Sequence, residues 1–313
     1  MADVLSDILE TIALKASVYF RTDFRPPFGV QVPAYARAAR FHIVIQGSCQ
    51  VRLVDGSAVT LSAGDLVLVP NGSPHVLTSG ETNVAMTLDD AFAAASFAGT
   101  GPFVLGDGPE SQGCHMVCGH FNFAEGADHP LLHALPDSLH ITAAERAARP
   151  MLDDIVRLVS RRMFAGEVGS VAVVSRLSEI LFIEIVQAVV NQAPDVARLM
   201  SAVHDPQIGL ALSLFHDDVA TNWTVDSLAK SVAMSRSRFA ERFHTLVGTA
   251  PMAYVHEWRM QRALKLLNLR TSPVKLIATR VGYRSAAAFS RAFAERFGAS
   301  PAQYLGQKNG RES

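Results

Sequence analysis

Two cysteines and a histidine lie close together in the stretch CHMVCGHF, which begins at Cys114. Cys114, Cys118 and His120 are separated by even numbers of residues, so in a β-strand their side chains would lie on one face. Two thiolates and one or two imidazoles suit tetrahedral Zn²⁺, and we expect His75, or else His42, to approach from a neighbouring strand. The other interpretation is that both cysteines are small core residues, as free cysteines usually are, and that His120 is a hydrogen-bonded or surface histidine. Zinc is therefore the one candidate cofactor.

A set of small and basic side chains near residue 236 has a counterpart about fifty residues later in the chain. The first set is Arg236, Ser237, Arg238, Ala240 and Glu241, and the second is Ser285, Ala287, Ala288 and Arg291. Small side chains allow a helix to approach a phosphate backbone closely, and arginine can bond phosphate oxygens or the O6 and N7 atoms of guanine. Both sets therefore have the chemistry of a nucleic-acid contact.

The two sets belong to one repeated pattern. Nine residues, Leu228, Ala229, Val232, Ser235, Phe239, Phe243, Gly248, Pro251 and Tyr254, recur as Ile277, Ala278, Val281, Ser285, Phe289, Phe293, Gly298, Pro301 and Tyr304. The offset is 49 residues up to the valines and 50 from the serines onward, so the second copy has one extra residue in the same short turn. The repeat predicts two copies of one helical unit.

Each copy has the pattern of a helix, a tight turn and a second helix. Apolar residues at helical spacing precede the turn, and a pair of phenylalanines four residues apart gives the following helix its core stripe. Ser235 and Ser285 stand where an N-cap oxygen would accept hydrogen bonds from free backbone N–H groups. This arrangement is a helix-turn-helix. Residues 253–269 predict one amphipathic helix between the copies. Its expected core residues are Val255, Trp258, Ala263, Leu266 and Leu267.

The charges of the chain are divided unevenly. Residues 204–313 contain 15 Lys/Arg and 8 Asp/Glu, a net of +7, and the other 203 residues contain 13 and 21, a net of −8. The near-neutral total of −1 therefore conceals a basic C-terminal third. A basic region that coincides with two helix-turn-helix patterns is typical of a protein that binds nucleic acid.

Residues 205–304 resemble the DNA-binding domain of AraC/XylS-type transcription regulators. They contain the segments WTV-x-x-LA, MSRS-x-FA-x-RF, G-x-x-P, WRM-x-x-A, IA-x-x-VGY and AFSRAF followed by G-x-SP. The resemblance covers about a third of the chain and implies that the second helix of each pair reads bases in a major groove. The implied base-facing residues are Ser237, Ala240 and Glu241 in the first reader and Ala287, Ala288 and Arg291 in the second. Arg236 and Arg238 would contact phosphates.

Arg291 has the best chemistry for base recognition among these positions, because a guanidinium can bond guanine through two atoms. The alternatives for Arg291 are a phosphate contact or a surface ion pair with Glu295. The three alanines at 286–288 can only touch thymine methyl groups or permit close approach. The second reader is therefore expected to discriminate less between bases.

Residues 20–125 alternate apolar and polar positions in short runs that are broken by glycine, proline, asparagine and aspartate. This pattern predicts an antiparallel β-sandwich or barrel, with a hairpin turn at Asp55-Gly56 and a further turn at Pro70-Asn71-Gly72. The spacing Gly64-x5-Pro70-x-Gly72-x2-His75 resembles the second motif of a cupin, and Gly47 could close the first. A cupin-like sensor ahead of an AraC-type reader is a familiar arrangement in that family.

Many cupins hold a catalytic metal, and the resemblance implies where its ligands would fall. If Gly47 ends the first motif, the two usual histidines fall at Ala34 and Ala36 and the usual glutamate at Arg40. None of these side chains is a metal ligand of that kind. The sequence therefore predicts that cupin-type metal catalysis is lost and that the chain is not an enzyme.

Residues 143–190 predict two helices joined near 166–169. The second helix has a seam that could pair with its copy in another subunit or pack against the β-domain. The seam residues are Val173, Leu177, Ile180, Leu181 and Ile185.

The predicted organisation is a sensor domain at 1–140, a helical linker or dimerisation segment at 141–203 and a DNA-binding domain at 204–313. The expected fold is a multidomain chain, with an N-terminal all-β cupin-like barrel followed by helices and then an all-α domain with two helix-turn-helix motifs joined by a long helix.

These patterns predict a sequence-specific transcription regulator whose partners are double-stranded DNA, RNA polymerase, a small-molecule effector and a second copy in a homodimer. The N-terminus has no basic leader, no apolar run reaches 18 residues and the three cysteines are an odd number. We therefore expect a cytoplasmic protein without a membrane partner.

Two alternative functions stay open. One is a ligand-independent DNA-binding protein whose barrel is a platform for dimerisation or a partner. The other is a cupin enzyme tethered to DNA, which the missing ligands disfavour.

Overall fold

The computed structural model describes residues 3–311 except 13, 36, 37, 81–83, 100, 125, 166 and 167. Ala36, an expected cupin ligand position, and Gly166, in the expected helix junction, lie outside the described residues. The chain divides into two compact units. The sheet unit comprises Lys15–Phe123 and Leu135–Ala193, and the helical unit comprises Met1–Leu14, Ala124–Ala134 and Pro194–Ser313.

The eleven described strands all lie in the sheet unit. They are β1 (Lys15–Phe24), β2 (Gly29–Val32), β3 (Ala38–Gln46), β4 (Ser48–Leu53), β5 (Ala58–Ser62), β6 (Leu66–Val69), β7 (His75–Thr78), β8 (Met86–Thr87), β9 (Pro102–Leu105), β10 (Cys114–Asn122) and β11 (Leu139–Ile141). They form a six-stranded sheet in the order β11-β6-β3-β10-β1-β9 and a five-stranded sheet in the order β5-β4-β7-β2-β8. Most pairs are antiparallel, whereas β9 and β8 add parallel edges to β1 and β2. The predicted β-domain is therefore confirmed.

The described α-helices are divided between the two units. They are α1 (Val4–Thr11), α2 (Leu88–Ala94), α3 (Pro130–His133), α4 (Ala143–Ala147), α5 (Pro150–Ala165), α6 (Ser170–Ala188), α7 (Pro194–His204), α8 (Ile208–Asp217), α9 (Val225–Ser231), α10 (Arg236–Val247), α11 (Pro251–Leu269), α12 (Val274–Arg280), α13 (Ala286–Phe297) and α14 (Pro301–Arg311). Helices α2, α4, α5 and α6 belong to the sheet unit, and the others belong to the helical unit.

The core of the sheet unit forms from alternate residues of both sheets. Strand β4 buries Cys49 and Val51, and Gln50 between them is more exposed. Strand β3, in contrast, is buried on both faces from residue 38 to residue 44. Helix α6 covers the outer face of the six-stranded sheet, where the Phe182 ring lies 5.0 Å from the Phe121 ring. A strand that is packed on both faces lacks the alternation that marks a half-buried strand.

The turns of the sheet unit are fixed by glycines at the predicted places. Gly56 follows Asp55 in the hairpin between β4 and β5 with a φ of 86°. Gly72 has a φ of 61°, and a Cβ atom there would lie 1.9 Å from the backbone oxygen of Tyr35. Only glycine fits this close approach, which explains the turn at Pro70-Asn71-Gly72.

The helical unit contains both copies of the repeat. Helices α9 and α10 form the first helix-turn-helix, α12 and α13 form the second, and α11 joins them. The second copy has its own core, in which Phe289 and Phe293 pack with Leu264 and Leu267 of α11. The predicted all-α domain with two helix-turn-helix motifs is therefore confirmed.

The two compact units differ from the three predicted segments. Residues 135–193, assigned in part to a linker, belong to the sheet unit because α6 packs on β1. Residues 3–12 and 124–134, assigned to the sensor, belong to the helical unit. The apolar face of α1 packs on α8, and Asp7 of α1 bonds His216 and Arg262. The helical unit is therefore assembled from three separate stretches of chain.

No helix in the described part of the chain is both long enough and apolar enough to cross a membrane.

Candidate nucleic-acid interface and effector cavity

The first reader helix, α10, places its predicted contact residues on the surface. Arg236, Ser237, Arg238 and Glu241 are exposed and Ala240 is half-buried. On the opposite side, Phe239 and Phe243 are buried, with ring centroids 5.7 Å apart. The helix begins after Ser235, whose hydroxyl oxygen accepts a hydrogen bond from the Arg238 N–H over 3.4 Å. The exposed face therefore begins at the N-terminal end of the helix, where backbone N–H groups are free to meet a phosphate.

The second reader helix, α13, has the same construction. Ser285 is exposed, and its hydroxyl accepts a hydrogen bond from the Ala288 N–H over 3.1 Å. Ala287 and Arg291 are exposed, and Ala288 is half-buried. Among the described residues Arg291 has no ion pair, so the predicted pairing with Glu295 is not formed. The guanidinium of Arg291 is therefore free to meet a ligand.

The turns of the two copies reach a left-handed backbone conformation with different residues. In the first copy Ala233 has a φ of 53°, and in the second copy Gly282 has a φ of 82°. A side chain in this region costs about 1–2 kcal/mol, which glycine avoids. The extra residue of the second copy lies after Gly282, so the serine cap follows the left-handed position by three residues there and by two in the first copy.

The helix between the readers buries most of the side chains that its pattern predicted. Val255, Trp258, Ala263 and Leu267 are buried in α11, and Leu266 is half-buried. This helix therefore packs against the cores of both copies and holds them in one helical unit.

The sheet unit contains two neighbouring cavities. A small interior cavity of about 20 Å³ lies among aromatic residues, and its polar walls are Thr22, Arg40 and His42. A wider cavity of about 290 Å³ is lined by polar groups that include Arg52, His75 and Asp89. Val32 and Leu88 line both cavities, so they form the boundary between them.

Two histidines and a cysteine form a hydrogen-bonded chain at this boundary. His75 Nδ1 lies 3.0 Å from the backbone oxygen of Ser73, which can only accept, so the His75 proton is on Nδ1. His75 Nε2 therefore accepts, and the partner that donates to it over 2.9 Å is His42 Nε2–H. His42 Nδ1 then accepts from the Cys118 thiol over 3.1 Å. Each group thus has one defined role as donor or acceptor.

Burial keeps these groups uncharged. It lowers the pKa of His42 well below its ordinary value, with a further contribution from the charges of His75 and Arg40. Burial lowers the pKa of His75 to about 4, despite its hydrogen bond to Ser73. Burial also raises the pKa of the Cys118 thiol. The polar wall of the interior cavity is therefore neutral near pH 7, apart from Arg40.

The four predicted zinc ligands are not brought together. His75 and Cys118 both bond His42, whereas His120 lies beside Asn122. Cys114 lies beside Cys49, where a hydrogen bond between the thiols, followed by burial, raises the pKa of Cys49. Within the described ranges, no three His, Cys, Asp or Glu side chains are grouped so that they could hold a metal ion. The two cysteines lie in an apolar core, which disfavours the thiolate that zinc needs. The zinc set read from the sequence stays a prediction that this arrangement does not support.

The alternation of side chains along β10 did not show that Cys49 and His42 are the neighbours of its two cysteines. Even spacing in β10 puts Cys114 and Cys118 on one face, but the neighbours of that face depend on how β10 is paired. In the structure Cys118 is opposite His42 of β3, and Cys49 comes from the other sheet. The alternation of β4, in which Cys49 and Val51 share a face, is the only sequence signal that pointed Cys49 toward the core.

Comparison with known proteins identifies the family. A family model described as Cupin matches residues 3–191, and one described as a helix-turn-helix domain matches residues 228–307. The HTH-type transcriptional regulator AlkR of Acinetobacter baylyi is 31% identical over 310 residues, which are 97% of this chain and 99% of that protein. This chain belongs to the AraC-type transcriptional regulators with a cupin domain. An AraC-like transcription regulator of Streptomyces antibioticus is 30% identical over 268 residues, covering 85% of this chain and 86% of that protein.

A solved DNA-binding domain is also similar to part of this AraC-type regulator. The DNA-binding domain of AdpA, solved in complex with a target DNA, is 31% identical and covers 34% of this chain and 96% of that chain, with a TM-score of 0.33. The family membership confirms the resemblance that residues 205–304 carried, and the Cupin match extends it to the N-terminal part of the chain.

Proposed function

We propose that this AraC-type regulator binds a specific DNA sequence through α10 and α13 and that a small molecule bound in the cupin barrel controls this binding. The observation that carries the proposal is the exposure of both reader faces in a basic region of a chain whose sheet unit has its own cavities. The DNA-bound protein would act at a promoter by recruiting or blocking RNA polymerase.

The positions of the two arginines on the reader helices favour contacts with different parts of the DNA. Arg236 is the first residue of α10, next to free backbone N–H groups, where a phosphate is favoured. Arg291 lies in the second turn of α13, beyond the alanines that allow the helix to approach the groove. We therefore assign Arg236 to the DNA backbone and Arg291 to a base edge.

Arg291→Ala is expected to weaken specific DNA binding by about 1–3 kcal/mol and to relax the preference at one base pair, because a two-atom contact with guanine is lost. Arg236→Ala is expected to weaken binding to all sequences alike and to reduce the salt dependence by roughly one phosphate contact. Fluorescence anisotropy with operator variants at several salt concentrations measures both effects. Arg161→Ala, at an exposed position of α5 in the sheet unit, is the matched control. Unchanged affinity and preference in Arg291→Ala would show that α13 does not read bases.

In the sheet unit, the wider cavity provides an effector with an entrance to the interior cavity. The interior cavity is too small for more than a trace of solvent, but it shares the lining residues Val32 and Leu88 with the wider one. Leu88 is half-buried at the first position of α2, a short helix that packs on β2 and β9. A shift of α2 would join the two cavities. The resulting site would have aromatic walls, suited to an apolar body, and the neutral His42–His75 pair as its polar part.

An effector screen tests this part of the proposal on the full chain. A ligand that binds only the folded protein raises its stability by RT ln(1 + [L]/Kd), about 2.7 kcal/mol at a hundredfold excess over Kd. Compounds that raise the melting temperature should lose this effect in Leu88→Trp, which fills the boundary between the cavities. They should keep it in Leu158→Trp, the same change at an exposed position of α5. Equal stabilisation of both variants would place the ligand elsewhere.

A second candidate function is favoured by an exposed apolar row on α6. Val173 and Ile180 of the predicted seam, which lie two helical turns apart on one face, are exposed, whereas Leu181 and Ile185 are buried in the sheet unit. The seam is thus divided between internal packing and an open face, and the open face suits a second copy of the chain. Two results together would favour a regulator whose barrel is a dimerisation platform. No compound in the effector screen would raise the melting temperature, and light scattering would give the mass of a dimer.

A further inference from the structure

The two reader helices carry opposite charges at one equivalent position. Glu241 is the sixth residue of α10, and Arg291 is the sixth residue of α13. Both helices have 12 residues, and both follow a serine whose hydroxyl oxygen accepts a hydrogen bond from the backbone N–H three residues later. Both also end at a glycine with a positive φ. Because the lengths and both ends agree, each residue of α10 has a defined counterpart in α13.

The two charged side chains also lie on the same face of their helices. In each helix, a buried phenylalanine lies two residues before the charged residue and another lies two residues after it. Two residues along an α-helix correspond to a rotation of about 200°, so a side chain between the two phenylalanines is directed away from the core. Glu241 and Arg291 are both exposed. They therefore occupy the same place on the two reader faces.

The carboxylate of Glu241 is not neutralised within the protein. Among the described residues it has neither an ion pair nor a hydrogen bond. The adjacent cation, Arg242, is held by another group, with its Nε 3.1 Å from Asp205 Oδ2. The Asp205 side chain is 8% exposed, so this ion pair lies against the body of the helical unit. Glu241 therefore presents a full negative charge on the face of α10 that is proposed to meet DNA.

Few groups of DNA can stabilise a carboxylate at this place. The phosphate oxygens, guanine O6 and N7, and thymine O4 are all acceptors and repel it. In the major groove, which is wide enough for an α-helix, the donors are the amino groups of cytosine and adenine. Adenine presents its N7 acceptor beside its amino group, a pair that suits an amide better than a carboxylate. Cytosine is therefore the base favoured beside Glu241, and guanine is the base favoured beside Arg291.

We propose that Glu241 reads a cytosine in the first half-site and that Arg291 reads a guanine at the equivalent place in the second. The carboxylate of Glu241 accepts a hydrogen bond from the cytosine amino group and excludes guanine and thymine by repulsion, which is a source of specificity in itself. The two half-sites therefore differ at this base, although the two readers share one scaffold. The inference rests on the proposed DNA binding through α10 and α13 and names the bases that they select.

Selection of bound sequences from a random double-stranded DNA library tests the inference on the full chain. The base whose preference is relaxed in Arg291→Ala marks the second half-site. In the first half-site we expect the unaltered chain to select cytosine at one position. Glu241→Gln should select adenine there, because an amide bonds adenine N6 and N7, and Glu241→Arg should select guanine. Each variant should bind its own base about tenfold more tightly than cytosine, and the second half-site should stay the same.

A charge exchange separates base reading from general attraction to DNA. The double variant Glu241→Arg/Arg291→Glu has the same net charge as the unaltered chain. It should bind the original operator about tenfold more weakly and regain affinity on an operator in which the two bases are exchanged. Glu110→Arg, at an exposed position of the sheet unit, changes the charge as Glu241→Arg does and should leave every base preference unchanged.

Two results would overturn the inference. One is that Glu241→Arg strengthens binding to all sequences alike with unchanged base preference, because the carboxylate would then only repel the DNA backbone. The other is that the double variant binds the exchanged operator no better than the original. If the first half-site is unchanged in Glu241→Gln while Arg291→Ala still relaxes one base pair, α13 reads DNA as proposed and Glu241 does not read a base. If Arg291→Ala also has no effect, the proposed reading by α13 is wrong as well.

Discussion

Phe289→Ala is expected to destabilise the second reader by about 3–5 kcal/mol, the usual loss when a fully buried phenylalanine is truncated. The Phe289 side chain is completely buried, and its ring lies 5.7 Å from that of Phe293. These two rings form a core with α12 and the C-terminal half of α11, and no buried residue of the first copy belongs to that core. The loss should therefore fall mainly on the second helix-turn-helix.

The equivalent substitution, Phe239→Ala, should remove the first reader instead. DNase footprints of the two variants are then expected to lose protection at opposite half-sites of one operator, and urea unfolding measures the loss of stability. Phe289→Leu and Phe239→Leu serve as controls, since a leucine keeps much of the buried volume and should cost less. Loss of the whole footprint in both alanine variants would mean that the two readers fold as one cooperative element.

Acidification from pH 7 to pH 4 is expected to cost several kcal/mol of folding free energy, because several histidines are buried in the neutral form. The pKa of His75 is lowered to about 4 and that of His129 to about 3, in each case chiefly by burial. In the unfolded chain these imidazoles titrate near pH 6.5. Between the two values the unfolded state binds more protons, so stability falls as the pH drops below about 6.5 and changes little above pH 7. For His75 the shift corresponds to roughly 3 kcal/mol by pH 4.

Urea unfolding at a series of pH values tests this expectation. Both tryptophans, Trp223 and Trp258, lie in the helical unit, so their fluorescence follows that unit, whereas far-UV circular dichroism follows both units. His75→Gln should flatten the acid dependence of the sheet unit, because the group that must be charged on unfolding is gone. His204→Gln, at an exposed position on α7, should leave the dependence as it is. An unchanged slope in His75→Gln would mean that His75 is not the group that couples acid to unfolding.

The repeat was readable from the sequence because its determinants are local. Ser235 and Ser285 cap their own helices through backbone groups three residues later, and each phenylalanine pair lies within a single helix. The cores of the two copies reuse the same residue spacings, so one pattern predicted both. The glycines at 56 and 72 were equally readable, because a turn with a positive φ is a property of a few consecutive residues.

Contacts between residues on different strands could not be predicted from the sequence in the same way. The parity of β10 correctly put Cys114 and Cys118 on one face, but the pairing of β10 with β3 brought His42 to Cys118 and left Cys114 beside Cys49. Parity says which side of a strand a residue faces and says nothing about which strand lies next to it. The neighbours of the predicted zinc ligands depend on that pairing of strands.

The sequence by itself determined the family, the two helix-turn-helix motifs, the basic reader faces and the β-rich character of the N-terminal part. It did so because these features depend on spacing within short segments and on composition. Only the tertiary structure decided that residues 4–11 and 124–134 belong with the DNA readers and that His129 meets Trp258. Such contacts join positions more than a hundred residues apart, and the pairing of distant segments is set by the packing of the whole unit.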